Sequence, residues 1–356
     1  MINYSKLFDY ARNLYSMPTY FGLFNTLPLR YFLELTYRCN LNCPYCYVGE
    51  YRNKHELSTY EWRKIIKQLP KYSIATLVGG EPLVRLDFGE IFNAVSDRLS
   101  GKVTIVTNGI LLNDDIVKLF DNNRLTLLSV SLDGYGKTHD ENRCRNGLFD
   151  IVANNLEKVL ALKKRPKIDI KTIVLENNLD DLPKLYKYCS DKGFEFLSLS
   201  FLRANKLKQN CCLRENLSEE FFEKSEHNLY FDMEHFKEVY KEIESLKKNF
   251  KCEVRFAPKF DYSKNPLREI EKFYTEKKDF KNLYKSCTFP FSDTFITPEG
   301  LVYPCLSIKM GDLKIQNLKE IYSGEKYNSF RKIIKKEGYL PACDMCCELC
   351  VRDKQS

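Results

Sequence analysis

Thr36-Tyr37-Arg38-Cys39-Asn40-Leu41-Asn42-Cys43-Pro44-Tyr45-Cys46 crowds three thiols into one short loop, directly after the apolar run Phe32-Leu33-Glu34-Leu35. A structural zinc ion wants four tetrahedral ligands and usually draws them from two C-x2-C pairs, so C-x3-C-x2-C with no fourth partner nearby suits it poorly. An iron–sulfur cluster held by thiolates suits the spacing better, and a cubane bound through only three Cys keeps one iron open to an external ligand. The spacing alone leaves two alternatives: a zinc knuckle with a remote fourth ligand, or a chance cluster of buried thiols.

Working outward, the chain has 356 residues, 44% hydrophobic and 29% charged, which suits a large α/β unit with an appendage. The net charge of +8 is spread among interspersed acidic residues, as at Lys237-Glu238 and Glu242-Ile243-Glu244, so it reads as a solvated surface and no nucleic-acid partner is expected. Lys6, Asp9 and Arg12 break up the amino terminus, which reads as no secretory signal, and no run of roughly 18 apolar residues exists to span a membrane. Fourteen Cys then point to a reduced, cytoplasmic setting in which thiols serve metal.

Downstream of the Cys loop the pattern alternates strand and helix. Ser58 opens a helix over 60–69 with Glu61 at the capping-box position. Strands follow at 74–78, 103–106, 125–132, 168–175 and 196–201, with helices at 88–99, 114–120, 149–163 and 179–192 between them. This alternation implies parallel strands with right-handed crossovers, and functional loops at the strands' carboxyl ends. Residues 1–30, broken by Pro18 and Pro28, read as an amino-terminal strap, 31–203 as the α/β unit, 204–286 as a helical bridge with a strong helix over 233–249, and 287–356 as a carboxyl-terminal domain.

Gly79-Gly80-Glu81-Pro82 ends the second strand about 35 residues after the Cys loop; glycines permit close backbone approach and a carboxylate can accept from an ammonium. Ser129-Val130-Ser131-Leu132-Asp133-Gly134 ends the fourth strand, with both hydroxyls on one face. His139-Asp140, Arg143, Gly147 and Phe149-Asp150 follow. Together with Cys39, Cys43, Tyr45 and Cys46, these stretches resemble the radical S-adenosylmethionine (SAM) enzymes, whose signature is C-x3-C-x-aromatic-C. The resemblance implies a partial (β/α)6 TIM-like barrel and a [4Fe–4S] cluster whose open iron chelates SAM. It also implies one-electron cleavage of SAM to a 5′-deoxyadenosyl radical. Gly79, Gly80 and Glu81 would meet the cofactor's amino end, Ser131 would give a polar contact, Arg143 would pair with its carboxylate, and Tyr45 would lie near the adenine or shield the cluster. Guanidinium suits a carboxylate because it donates two parallel hydrogen bonds. Cys144 stands where the family usually has Gly, which leaves Arg145 as an alternative to Arg143. Asn108-Gly109 reads equally as a turn, Asn178 equally as a helix cap, and His139 as a structural hydrogen-bonding residue.

At the carboxyl end, Cys287 and Cys305 flank a β-hairpin with a Pro298-Glu299-Gly300 turn, and Cys343-Asp344-Met345-Cys346-Cys347-Glu348-Leu349-Cys350 follows two helical stretches. This layout resembles the twitch form of SPASM/twitch domains. The resemblance implies one auxiliary [4Fe–4S] cluster on Cys287, Cys305, Cys343 and Cys346, with Cys347 and Cys350 as alternatives and a zinc ribbon as the other reading. Cys211-Cys212 read as free thiols, and Cys144, Cys189 and Cys252 as buried apolar ones.

The expected function is radical SAM chemistry, with oxidative modification or cross-linking of a ribosomally made peptide first, by analogy with relatives carrying such domains. Radical modification of a small molecule such as an aminosugar is the alternative, and a flavodoxin- or ferredoxin-type reductant would supply electrons. The alternative of another class, a non-catalytic iron–sulfur or zinc protein, would have no use for Gly79-Gly80-Glu81 and Arg143 together.

Overall fold

A computed structural model describes residues 27–46, 48, 55–201, 230–257, 284–305 and 307–343, with short stretches at 215–216, 219–222, 259–260, 270, 346 and 348–351. Most of the expected strap, much of the expected bridge, and Cys211, Cys212 and Cys347 lie outside the described residues.

Strand β1 (Arg30–Glu34) begins a run of parallel strands, β2 (Ile74–Val78), β3 (Val103–Thr107), β4 (Leu127–Ser131), β5 (Lys167–Val174) and β6 (Phe196–Phe201), each hydrogen-bonded to the next. Helices α1 (Thr59–Gln68), α2 (Phe88–Leu99), α3 (Asp114–Lys118), α4 (Lys137–Asn142), α5 (Leu148–Leu160) and α6 (Leu182–Asp191) fill the crossovers. Alternation along each strand sends one set of side chains under the helices: Tyr31, Leu33 and Leu35 from β1 and its extension join Trp62, Ile65 and Ile66 of α1 in the core. The opposite face carries Phe32, Thr76, Ser129, Asp169 and Ser198. Helix α1 starts where the sequence places it. Ser58 Oγ accepts from the Glu61 amide, and Glu61 accepts from the Ser58 amide at 2.8 Å, a reciprocal cap of about 1 kcal/mol.

Three features depart from expectation. The stretch expected as one helix over 179–192 divides into a 3₁₀ turn, Glu176–Asp181, and α6, because Pro183 sits comfortably only in a helix's first turn. The bridge contains more than helix: α7 (Met233–Leu246) is followed by β7 (Glu253–Ala257), parallel to β6 from Phe196↔Glu253 to Ser200↔Ala257. The strand–helix alternation therefore continues for one more unit. Its buried face, Phe236, Tyr240 and Phe256, clusters with Phe201 and Phe231. Two large apolar residues, Val254 and Phe256, in a five-residue strand amid charged neighbours are too faint a period to read beforehand.

The carboxyl-terminal hairpin, third, belongs to the same sheet. After the short helix α8 (Phe289–Ser292), β9 (Asp293–Ile296) pairs parallel with β1, and β10 (Leu301–Tyr303) and β11 (Gly311–Asp312) extend that edge. The ten strands run β11-β10-β9-β1-β2-β3-β4-β5-β6-β7, and the sheet does not close. Helices α9 (Leu318–Ser323) and α10 (Glu325–Glu337) follow. The final described strand, β12 (Cys350–Val351), pairs with β8 (Lys259–Phe260), just past β7, while Glu348 reaches Arg30 at the start of β1. The carboxyl-terminal Cys segment thus reaches both the start of β1 and the short strand just past β7.

Candidate active site

The Cys loop leaves β1 and is stitched to the Gly-Gly-Glu loop leaving β2. Gly80 N donates to Thr36 O at 2.7 Å and Glu81 N to Arg38 O at 2.8 Å. A Cβ on Gly79, whose φ is +137°, would stand 2.4 Å from Thr36 O, and one on Gly80 2.3 Å from Arg38 O. Both glycines are therefore required by the approach of one loop to the other, rather than only by approach to a ligand as the sequence suggested. A brace the sequence reading missed completes the join. Glu56 accepts from the Thr36 hydroxyl at 2.6 Å and the Tyr37 amide at 2.8 Å, while buried Arg85 donates to Leu35 O, Leu57 O and Asp87.

Within the loop, Cys39 and Cys43 are half-buried and Cys46 is exposed. Leu41 N points at Cys39 Sγ at 3.4 Å, and Asn108 Nδ2 lies 3.9 Å from the same sulfur while donating to Asn40 Oδ1 at 2.7 Å. Asn108 is thus more than a turn residue. Burial pushes the Cys43 thiol up to about 11, partly opposed by the charge of Arg143. Among the described residues no three His, Cys, Asp or Glu side chains converge as they would around one metal ion.

Glu81 is 1% exposed. Its carboxyl accepts from the Thr107 hydroxyl at 2.8 Å and from the amides of Asn108 at 2.7 Å and Leu83 at 3.1 Å, so it ties the loops after β2 and β3 together. Burial pushes its pKa up to about 7 against the lowering effect of these donors. A buried carboxyl so poised gains most from a cation brought alongside it.

Asp133, fully buried, is the hub on the other side, and the sequence reading quoted it without giving it a role. Its Oδ2 accepts from the Tyr45 hydroxyl at 2.5 Å and from Arg143 Nε at 2.6 Å, and its Oδ1 from Ile173 N at 2.7 Å. Its amide donates to His139 Nδ1 at 3.0 Å, and its carbonyl accepts from Asn142 and Asn178. Tyr45, between two of the three thiols, is thereby tied to the end of β4, with the Arg143 guanidinium 5.9 Å from its ring. Burial alone would lower the pKa of Arg143, but Asp133 outweighs it and the guanidinium stays charged. With Nε committed to Asp133, the guanidinium keeps terminal N–H donors that can serve a carboxylate. Arg145, by contrast, is exposed, so the geometry favours Arg143.

The remaining candidates sort clearly. Burial and the charge of Arg143 lower His139 to about 4, so it is a neutral acceptor with a structural part. Asn178 is fully buried and spends its amide on Leu175 N, Ile173 O and Asp133 O. Ser131 ends β4 on the face away from the helices, in register with Lys171. Cys189 and Cys252 are buried, but Cys144, expected to be buried, is exposed at φ +54°. Its backbone adopts the left-handed conformation that favours glycine, which accounts for the family's preference there.

At the carboxyl end, Cys287, Cys305, Cys343, Cys346 and Cys350 are all half-buried. Cys287 N donates to Gly338 O at 2.8 Å, Cys346 N to Cys343 O at 3.0 Å, and Lys285 N to Cys350 O at 2.9 Å, so the separate Cys-bearing segments are tied together by backbone. Tyr37, beside the first Cys, donates to Glu299 in the hairpin turn at 3.0 Å, and Leu57 N donates to Pro298 O. The hairpin therefore rests on the base of the three-Cys loop.

Residues 33–189 match the radical SAM superfamily, and residues 287–347 match SPASM, an iron–sulfur cluster-binding domain. The chain thus carries a radical SAM domain followed by a SPASM domain. Members of that superfamily are enzymes. Among its relatives, the sporulation killing factor maturation protein SkfB of Bacillus subtilis is 32% identical over 47% of this chain and 41% of its own length. An AdoMet-dependent heme synthase of Methanosarcina barkeri is 28% identical over 88% of this chain and 86% of its own. The chain thus spans less than half of SkfB but most of the heme synthase. The crystal structure of Streptococcus suis SuiB bound to precursor peptide SuiA superposes with a TM-score of 0.64 at 15% identity, covering 98% of this chain and 77% of that one, a likeness of fold. No described helix is long and apolar enough to cross a membrane.

Proposed function

We propose that this radical SAM enzyme uses the Cys39/Cys43/Cys46 loop to hold a cluster and SAM, and abstracts hydrogen from a peptide substrate that it modifies oxidatively. When bound, the cluster and SAM would supply a 5′-deoxyadenosyl radical; the chain's own residues bind, orient and shield. The residues fit such a guest. Three thiols sit in one braced loop, a buried carboxyl at Glu81 stands ready for an ammonium, and Arg143 is fixed through Nε with its terminal nitrogens available. The observation that carries the reading is the Tyr45–Asp133–Arg143 chain, because it brings the thiol loop and the carboxylate-binding candidate to one place at the strands' carboxyl edge.

Cys287, Cys305, Cys343 and Cys346 would hold one auxiliary [4Fe–4S] cluster, and Glu299 would link that domain to Tyr37. Peptide substrates are supported by the SkfB relationship. The near full-length match to the heme synthase favours a second reading, in which the substrate is a small molecule. The reductant would be a flavodoxin- or ferredoxin-type protein. Anaerobic reconstitution with SAM and dithionite tests the core of the proposal. 5′-Deoxyadenosine should accumulate; its absence at full iron loading would contradict an enzymatic role.

A further inference from the structure

On the sheet face opposite the helices, one register row crosses four strands: Ser131 pairs with Lys171, Lys171 with Ser198, and Ser198 with Arg255. The alternate residues Ile170, Leu197, Leu199, Val254 and Phe256 join the hydrophobic core, so the row occupies the other face. The row below it is Ser129, Asp169, Phe196 and Glu253. Asp169, whose side chain is 4% exposed, accepts from the Ser129 hydroxyl at 3.1 Å and the Ser198 hydroxyl at 2.7 Å, and lies 3.5 Å from Lys171 Nζ. Arg255 stacks on Phe196 at 3.3 Å and spends its Nε on Glu253 at 3.1 Å.

Each cation is thus held from below, while its acidic neighbour is already engaged by hydroxyls or by Nε. What the upper row offers is donors: an ammonium 41% exposed and a guanidinium fork 22% exposed, with the Ser131 hydroxyl beside them. Lys171 and Arg255 stand two strands apart, about 10 Å between backbones, a gap that two such long side chains can span around one ligand group above Ser198. Ser131, at the row's other end, places this patch beside the proposed cofactor pocket, where a substrate must lie.

We propose that Lys171 and Arg255, on the strands either side of Ser198, form the subsite that binds a carboxylate of the substrate. This rests on the radical SAM reading of the site. The shared chemistry is a carboxylate, from an acidic peptide side chain or from a small organic acid.

The test is equilibrium binding to the anaerobically reconstituted protein of two matched pairs of probes: Ac-Gly-Glu-Gly-NH2 against Ac-Gly-Gln-Gly-NH2, and glutarate against its diamide. The carboxylate member of at least one pair should bind more tightly than its amide. Lys171→Met and Arg255→Met should each weaken that member about tenfold, the scale of one charge-assisted hydrogen bond. Lys171→Arg should retain most of the affinity, and Lys118→Met, which removes the same charge from the outer surface, should retain all of it. Tighter binding of the peptide pair would support a peptide source, and of the glutarate pair a small-molecule source. The proposal is overturned if neither carboxylate is preferred, if Lys118→Met weakens binding as much as Lys171→Met, or if the loss falls on S-adenosylhomocysteine instead of the carboxylate probes. Failure of the wild-type protein to form 5′-deoxyadenosine from SAM would instead strike the underlying reading.

Discussion

Replacing Asp133 by Asn should weaken the protein far more than its single changed atom suggests. Asp133 is fully buried and Arg143 has only 13% of its side chain exposed, so the substitution leaves a guanidinium desolvated beside a neutral amide. Breaking a buried pair from one side costs about 3–5 kcal/mol. Geometry adds to the charge effect: Ile173 N donates to one oxygen and Tyr45 and Arg143 to the other, so whichever way the Asn amide is turned, its NH2 meets a donor. In a chain of 356 residues each kcal/mol moves Tm by roughly 1.3 °C, so Asp133→Asn should lower Tm by roughly 4–7 °C over that range. Thermal unfolding of the metal-free protein by circular dichroism reads this without interference from clusters. Asp133→Leu combined with Arg143→Met should lose less than the two single changes added together, because the pair is removed whole. A Tm for Asp133→Asn within about 2 °C of wild type, or strict additivity in the pair, would refute the hub.

Gly80→Ala should reduce iron bound at the three-Cys loop while iron at the carboxyl-terminal Cys group persists, because the new Cβ would press on the Arg38 carbonyl; iron analysis of this variant in a Cys305→Ala background isolates the loop. Glu81, held near 7 by burial, binds its proton more tightly folded than unfolded, where a Glu titrates near 4.3. Its contribution to metal-free stability is therefore greatest below about pH 4 and falls by about 3 kcal/mol as pH rises to about 7, a slope that Glu81→Gln should remove from the difference between the two proteins' urea midpoints. In the loaded enzyme, SAM affinity should rise with pH up to about 7 as Glu81 ionises and then level off. Cys144→Gly should stabilise by about 1 kcal/mol in urea unfolding, since it relieves a left-handed residue at φ +54° whose side chain is exposed.

The strands and crossovers up to β6 could be read from sequence because each buried face repeats at a clean period and Ser58 and Glu61 mark a helix start. The seventh strand could not, since Val254 and Phe256 alternate with charge over too short a run. Nor could the parallel pairing of β9 with β1, which joins residues some 260 positions apart and leaves no local pattern. At the site, the thiols, the glycines, Glu81 and Arg143 stood out by type and spacing. Asp133 did not, because a carboxylate in a Gly-ended segment looks like an ordinary turn residue, and only the fold shows three donors converging on it. The glycines were noticed for the right chemistry and a partly different reason: their missing side chains first admit the neighbouring loop. Lys171 and Arg255 sit in separate strands, and only the register puts them in one row.

The central claim is a division of labour between the three-Cys loop and the carboxyl-terminal Cys group. Its most direct test compares Cys43→Ala with Cys305→Ala, both reconstituted anaerobically and given SAM and dithionite, with 5′-deoxyadenosine measured by mass spectrometry. Cys43→Ala should form none, whereas Cys305→Ala should still form it; equal loss in the two variants would contradict the account.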